Sequence, residues 1–272
     1  MLSEHAAGVR GGTEVRRRSP SHYARWCRAE CGLDDVESLD LYQLAEGRAV
    51  EVRVAPLSSI EGAALVEEGA GAVCINEDQG HHRFRFTFGH ELGHLFLPWH
   101  YHLLTERGIL TDKHVRWGRA KDLLEREAND FAAELLTPGH LVKPHLKRGN
   151  LDLARAVEIS DRFDVSLTSA ALRITELSRA GLAVLLFSDG KLRWRFGNEH
   201  FPYGLPDSGT LPPPGTVTSD VIAGGGDLVN ADPVDAEAWL VLRQFGGYPE
   251  LLESSLRLGQ TGMVLTVLWS PT

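Results

Sequence analysis

Alternating apolar and charged positions mark the first strand-like stretch of the chain. Val50, Val52 and Val54 alternate with charged residues, which is the spacing of a half-exposed β-strand. Two further apolar runs follow at 63–66 and 71–75, before a turn-rich segment. Together these runs predict a small antiparallel sheet.

Helical spacing of apolar residues flanks this sheet on both sides. Short helical patterns precede it at 21–27 and 39–45. A helix of about four turns is predicted over 84–96, where Pro98 signals its end, because proline disfavours helical geometry in the residue before it. Strong helix formers then fill 121–136, up to a Thr-Pro-Gly stop.

The second half of the chain changes from helices to strands. Residues 151–180 predict two helices, with Ser166 as the N-cap of the second. After Gly181, apolar runs flank the turns 188–190 and 259–262, which are hairpin signals. The Pro- and Gly-rich segment 202–232 predicts an exposed loop.

Composition and charge then exclude several classes of protein. The 272 residues carry 28 Lys and Arg against 37 Asp and Glu, a net charge of −9. This charge disfavours a protein whose main function is to bind the phosphates of nucleic acids. No run reaches the roughly 18 apolar residues of a membrane span, and the N-terminus lacks the apolar core of a signal peptide. Three cysteines are too few for a disulfide framework. We therefore expect a cytoplasmic protein.

The predicted helix over 84–96 carries the candidate chemistry. His90-Glu91-Leu92-Gly93-His94 places two histidines four residues apart, so both rings lie on one helix face and can bind one zinc ion. A catalytic zinc leaves a position open for water, polarises a scissile carbonyl and lowers the pKa of the water. Glu91 is then the base that takes the proton of the water and passes it to the leaving amine.

A third ligand is expected from the helix over 121–136. Glu125, Glu127 and Asp130 are the candidates. Asn129 follows Glu125 by four residues and shares its face, where its amide can support a ligating histidine. Glu127 has the apolar Phe131 at that offset. The spacing therefore favours Glu125 as the ligand, with Glu127 as the fallback and Asn129 as support.

These two segments resemble the ImmA/IrrE family of zinc metallopeptidases. Arg85-Phe86-Thr87-Phe88-Gly89-His90-Glu91-Leu92-Gly93-His94 is similar to the first motif of the family, although many members have alanine where this chain has Gly89. Residues 125–138 are similar to the second motif, whose glutamate four residues before the asparagine is the metal ligand. The likeness covers about 21–180.

The resemblance implies a zincin-like peptidase domain with active-site helices, followed by a helix-turn-helix-like pair. Together with the small antiparallel sheet and the strand-like runs after Gly181, the sequence predicts an α+β fold that ends in a strand-rich C-terminal domain. The resemblance also implies an endopeptidase that uses Zn²⁺ and cleaves an Xre-type helix-turn-helix repressor, and so derepresses stress or mobile-element genes. We predict a disordered tail at 1–20, the zinc peptidase domain at 21–145, the helical pair at 146–180 and the strand-rich sensor or docking domain at 181–272.

The alternative is a non-enzymatic DNA- or protein-binding regulator with a structural zinc. Residues 151–180 hold four arginines against five acids, so direct DNA binding by the helical pair is disfavoured. The histidines around the motif could stabilise an oxyanion or bind a second ion, but they are interpreted as solvated surface residues: His81, His82, His100, His102 and His114. No spacing rule identifies a transition-state donor, for which His114 and Tyr101 are the candidates.

Overall fold

The computed structural model describes residues 17–107, 109–110, 118–147, 149–240, 248–259 and 261–271. Side chains are not described at 107, 109–110 and 118–121. The predicted tail thus lies outside the described residues as far as residue 16. Contacts divide the chain into two units, of which the first runs to Pro138 and includes Phe163–Val165, and the second contains Gly139–Arg162 and everything from Ser166.

The first unit combines a small sheet with helices, in the mixed α+β class that the sequence predicts. Ser19 caps the first helix by accepting a hydrogen bond from the backbone of His22, and Asp40 caps the second in the same way. The elements are α1 (Pro20–Glu30), α2 (Leu41–Gly47), β1 (Glu51–Ala55), β2 (Gly62–Glu67), β3 (Ala70–Asn76), α3 (His81–Phe96), α4 (Pro98–Arg107), β4 (Ile109–Leu110) and α5 (Gly118–Leu136).

The sheet of this unit is mixed, so the prediction of an antiparallel sheet is wrong for one strand. The strand order is β1-β3-β2-β4, and β1 pairs with β3 in parallel. Glu68 and Gly69 both have positive φ and close β2 and β3 into a tight antiparallel hairpin. The linking segment 56–61 lets the chain pass to the far side of β3. The alternation of apolar and charged residues in β1 does not indicate on which side of β3 the strand pairs.

α3 and α5 approach each other closely, and this contact positions the candidate site. α3 ends at Phe96, ahead of Pro98, as the sequence predicts. Phe88 and Leu92 are fully buried on α3, as is Phe131 on α5. A Cβ atom on Gly93 would lie 3.1 Å from Cδ1 of Phe131, so the glycine admits the phenyl ring between the helices.

The second unit is a helical segment followed by an antiparallel sheet. Ser166 caps the second of the paired helices, as predicted. The sheet has the order β6-β5-β9-β8-β7, with every pairing antiparallel. The helices and strands are α6 (Gly139–Val142), a 3₁₀ helix (Lys143–Lys147), α7 (Leu153–Phe163), α8 (Leu167–Leu177), β5 (Gly181–Ser188), β6 (Lys191–Gly197), α9 (Val217–Ile222), β7 (Leu228–Val234), α10 (Ala236–Trp239), β8 (Leu251–Arg257) and β9 (Met263–Ser270).

Two predictions for the second unit have opposite outcomes. The hairpin at 188–190 is confirmed, because Asp189 and Gly190 have φ of 52° and 74° and join β5 to β6 as a two-residue turn. The prediction of an exposed loop over 202–232 is wrong in part. This segment contains α9, which is capped by Thr216 and whose Val221 is fully buried. The Pro- and Gly-rich sequences on both sides of this short helix favour a loop prediction for the whole segment.

Among the described residues, no helix is long and apolar enough to cross a membrane. The cysteines Cys27, Cys31 and Cys74 are free thiols. Cys27 is fully buried, and burial raises the pKa of its thiol to about 12. This thiol is therefore an apolar packing group of α1 and no metal-binding thiolate.

Substituting the two glycines of α3 that face α5 is expected to have opposite effects. A Cβ atom on Gly89 would lie 3.5 Å from Cβ of Ala132, an ordinary contact, so Gly89→Ala should raise the free energy of unfolding by up to about 1 kcal/mol through helix propensity. Gly93→Ala should lower it by about 1–3 kcal/mol, because the buried Phe131 must shift. Urea unfolding of the two variants measures the difference, and equal stability would contradict the close approach at Gly93.

Candidate metal centre

Three side chains from α3 and α5 converge at one point of the first unit. His90 and His94 lie one turn apart on α3, and their Nε2 atoms are 3.1 Å apart. The Glu125 carboxylate of α5 lies 3.3 Å from Nε2 of His90 and 4.0 Å from Nε2 of His94. One ligand atom of each residue lies within 4.8 Å of the others. The structure thus brings together the three residues that the sequence predicts as metal ligands.

The chemistry of these donors fits a zinc ion. Two imidazole nitrogens bound to a tetrahedral zinc at about 2.0–2.1 Å stand roughly 3.3 Å apart, close to the separation of the rings of His90 and His94. Burial lowers the pKa of His94 well below its usual value, and the neighbouring rings of His90 and His100 act in the same direction. A neutral imidazole is the form that binds metal.

Asn129 lies beside His90, on the side away from Glu125's contact with Nε2. Nδ1 of His90 lies 2.9 Å from Oδ1 of Asn129. Burial acts to lower the pKa of His90, but the hydrogen bond that His90 donates to Glu125 and the negative charges of Glu91 and Glu125 outweigh it. The pKa of His90 therefore lies above its usual value. The metal ligand role of His90 and the support by Asn129 stay predictions.

Glu91 borders a cleft of about 310 Å³ that leads to the three donor residues. Its side chain lies against Gly62, the first residue of β2. A Cβ atom on Gly62 would come within 2.9 Å of both Cγ and Oε1 of Glu91. The absence of a side chain at Gly62 therefore makes room for Glu91. The described residues that line the cleft are Glu61, Gly62, Arg83, Phe86, Thr87, His90, Glu91, His94, Glu125 and Asn129.

Glu127, the fallback ligand, lies elsewhere. Its carboxylate accepts hydrogen bonds from Nε1 of Trp99 at 2.7 Å and from Nη2 of Arg17 at 2.6 Å. Nε2 of His100 lies 3.0 Å from the same carboxylate. His100 is fully buried, so its interpretation as a solvated surface histidine is wrong. The residue lies six positions after His94, beyond Pro98, where no helical spacing relates the two.

Three other histidines considered from the sequence, His81, His82 and His102, are not among the described residues that line the cleft. His81 lies 2.8 Å from the Asp164 carboxylate and is largely exposed, and His102 pairs with Glu106 on the surface of α4. The hydroxyl of Tyr101 is 3.5 Å from the carbonyl of Gly69, and Tyr101 is not among the described residues that line the cleft. His114 lies outside the described residues.

Replacing the carboxylate of Glu125 is expected to weaken zinc binding strongly. Glu125→Gln keeps the size of the side chain but removes the anionic oxygen that zinc favours over an amide. Asp122→Asn is the matched control, because Asp122 is exposed on the same helix and loses the same charge. We expect Glu125→Gln to lower zinc affinity by at least about 10-fold, in the range of single site residues, in competition with a chromophoric chelator. Equal affinities of the two variants would exclude Glu125 as a ligand.

Comparison with known proteins identifies the segment that carries this site. Residues 45–175 match the family described as the IrrE N-terminal-like domain. The radiation response metalloprotease IrrE of Deinococcus radiodurans is 28% identical over 155 residues, and that of Deinococcus deserti is 32% identical over 106 residues. The alignments cover 56% and 38% of this chain, but only 45% and 36% of the relatives. The chain thus spans less than half the length of these relatives.

A solved structure shares the fold over a longer stretch. It is described as a Mycobacterium tuberculosis transcriptional regulator, and the likeness covers 92% of this chain and 74% of that chain with a TM-score of 0.59. The sequence identity of 12% makes this a likeness of fold alone. The sequence likeness lies in the matched segment: residues 45–175 are similar to the IrrE N-terminal-like domain, and the two relatives of similar sequence are named metalloproteases.

Proposed function

We propose that this protein is a zinc endopeptidase that cleaves an Xre-type transcriptional repressor and so derepresses stress or mobile-element genes. The observation that carries the proposal is the convergence of His90, His94 and Glu125, with ligand atoms within 4.8 Å of one another. This cluster opens to a cleft that Glu91 also lines. A purely structural zinc is normally enclosed by four protein ligands, so three donors at an open cleft support catalysis.

The residues of the cleft have separate roles in the proposed reaction. His90, His94 and Glu125 would hold the ion. Zinc, when bound, supplies a Lewis acid for the scissile carbonyl and lowers the pKa of an attacking water. Glu91 takes the proton of that water and delivers it to the leaving amine. Gly62 keeps the space in which Glu91 performs both transfers.

The choice of substrate comes from the family. The motifs at 85–94 and 125–138 resemble those of the ImmA/IrrE peptidases that cut Xre-type repressors, and two relatives are named radiation response metalloproteases. A cleft that is open to solvent also suits an extended segment of another protein, because a peptide must enter and leave through it. The repressor is therefore the proposed partner, and Zn²⁺ the proposed cofactor.

A non-enzymatic regulator that binds DNA through α7 and α8 is the second candidate, and the contacts of its arginines disfavour it. Arg173 is buried and donates to Glu176 at 2.7 Å. Arg155 pairs with Glu158. Phosphate contacts supply most of the affinity of a DNA-binding helix pair, and these two arginines are engaged by acidic neighbours.

Glu91→Gln is expected to abolish cleavage while leaving zinc binding intact, because the amide keeps the shape of Glu91 but takes no proton at neutral pH. The purified, zinc-loaded protein is incubated with the Xre-type repressor encoded nearest its gene, and the products are identified by mass spectrometry. Glu77→Gln, an exposed residue beyond β3, is the control and should cleave normally. Full activity of Glu91→Gln would refute the proposed role of this residue.

Gly62→Ala is expected to lower the turnover number by about 10- to 100-fold, the effect of displacing a reacting group by an ångström. The new methyl group would come within 2.8 Å of Cγ2 of Thr87 and 2.9 Å of Oε1 of Glu91, and its three nearest atoms include none from the three proposed metal ligands. Zinc affinity should therefore not change. Gly80→Ala is the control, since its Cβ atom would meet nothing within 4 Å. Normal turnover in Gly62→Ala would show that Glu91 does not need this space.

A further inference from the structure

Nδ1 of His94, the ring nitrogen on the side away from His90 and Glu125, lies next to a second buried histidine. Nδ1 of His94 lies 2.9 Å from Nδ1 of His100, and only 4% of His94 and none of His100 is exposed. On the far side of His100, Nε2 lies 3.0 Å from Oε2 of Glu127. A continuous chain of hydrogen bonds therefore runs from His94 on α3 through α4 to Glu127 on α5.

Metal binding by His94 determines which ring nitrogen carries the proton at each step of this chain of hydrogen bonds. His94 can bind a metal through Nε2 only if its proton is on Nδ1, which must then donate to Nδ1 of His100. His100 accepts there, so its own proton is on Nε2 and is donated to the Glu127 carboxylate. Each link has one donor and one acceptor, and no buried ring nitrogen of His94 or His100 is left unsatisfied.

We propose that His100 and Glu127 are positioning residues which hold His94 in the tautomer and ring orientation that bind the metal through Nε2. Neither residue is among the described residues that line the cleft, so their effect on the metal passes through His94. This inference rests on the proposed zinc site, but it does not depend on the substrate or on cleavage.

The far end of the chain is anchored by groups that keep Glu127 in place. Nε1 of Trp99 and Nη2 of Arg17 both donate to its Oε2 atom. The guanidinium of Arg17 also lies over the Trp99 ring, 3.8 Å from the centroid, which is a cation–π contact. Trp99 and Arg17 carry only hydrogen-bond donors at these atoms, so the carboxylate of Glu127 is the acceptor in both contacts. Glu127 thus serves as the fixed acceptor of the chain.

The two histidine ligands are supported in different ways. The outer nitrogen of His90 meets the neutral amide oxygen of Asn129 near the surface. His94 is supported by a buried ring that is polarised by a carboxylate. His100 donates from Nε2 to the charged carboxylate, which is a strong hydrogen bond. That bond makes Nδ1, the opposite nitrogen of His100, a better acceptor for the proton on His94. We therefore assign the firmer orientation to His94, the ligand whose surroundings exclude water.

Three variants separate the links of this chain. His100→Phe keeps the volume of the ring but removes both nitrogens, and should weaken zinc affinity by about 10- to 100-fold. His100→Asn restores an acceptor near the position of Nδ1 and should recover much of that loss. Glu127→Gln keeps an acceptor for His100 without the charge, and its affinity should lie within about 10-fold of the wild type. Affinities are measured with a competing chromophoric chelator on the full chain.

Nitrogen-15 NMR of the histidine rings measures the tautomer of each ring, which would not change if His100 and Glu127 only stabilised the fold. In the zinc-loaded wild type, Nδ1 of His94 should carry the proton, and His100 should carry its proton on Nε2. Leu104→Ala is the control for general destabilisation, because Leu104 is a fully buried residue of α4 outside this chain. It should lower the melting temperature while leaving zinc affinity and both tautomers unchanged.

The results distinguish a failure of this inference from a failure of the proposed function. Unchanged zinc affinity in a folded His100→Phe variant would overturn the positioning role even if the enzyme cleaves its substrate, and so would an equal loss of affinity in His100→Phe and His100→Asn. The expected order of affinities, together with no proteolysis by the wild type, would support the positioning role and refute the peptidase. A wild type that binds no zinc would refute both.

Discussion

The close approach of α3 to α5 is the constraint on which the candidate site depends. The helix that carries His90 and His94 can meet the carboxylate of Glu125 only if the two backbones come near each other. Gly93 permits this by leaving room for the ring of Phe131, with Cδ1 only 3.1 Å from where a Cβ atom would be. The apolar contact at Phe131 and the polar cluster at Glu125 lie on the same helix. Packing of the core therefore sets the distances between the ligand atoms.

Local patterns predicted what local spacing controls. The end of α3, the stop after α5, the cap at Ser166 and the turn at 188–190 all follow from residues within a few positions of one another, and each has the predicted form. The pairing partner of β1 does not follow from nearby residues, because the strand order depends on which side of β3 the link 56–61 reaches. α9 was missed for a related reason: a helix of two turns between proline and glycine runs has too few residues to display a period.

In the site, too, contacts between residues close in the sequence were predicted, and contacts between distant residues were not. The offset of four residues relates His90 to His94 and Glu125 to Asn129, so sequence alone brought these pairs together. His100 follows a helix break at Pro98, and no periodicity connects it to His94 or to Glu127. Its signal is physical: an imidazole whose Nε2 is directed to a metal has a buried Nδ1–H that needs an acceptor, and leaving it unpaired costs about 1–3 kcal/mol. Such a requirement predicts that an acceptor exists, but not which residue supplies it.

The surroundings of the metal site extend beyond the segment that matches the family. The match begins at residue 45, yet Arg17 contacts both Trp99 and Glu127, and α1 packs against α5. Arg28 of α1 is fully buried and donates to the carbonyl of Leu135 at 2.7 Å, near the end of α5. This hydrogen bond joins α1 to the helix that carries Glu125 and Glu127. The N-terminal helix is therefore part of the framework that holds the ligands, and a fragment that begins at the matched segment would lack the anchor of the His94–His100–Glu127 chain.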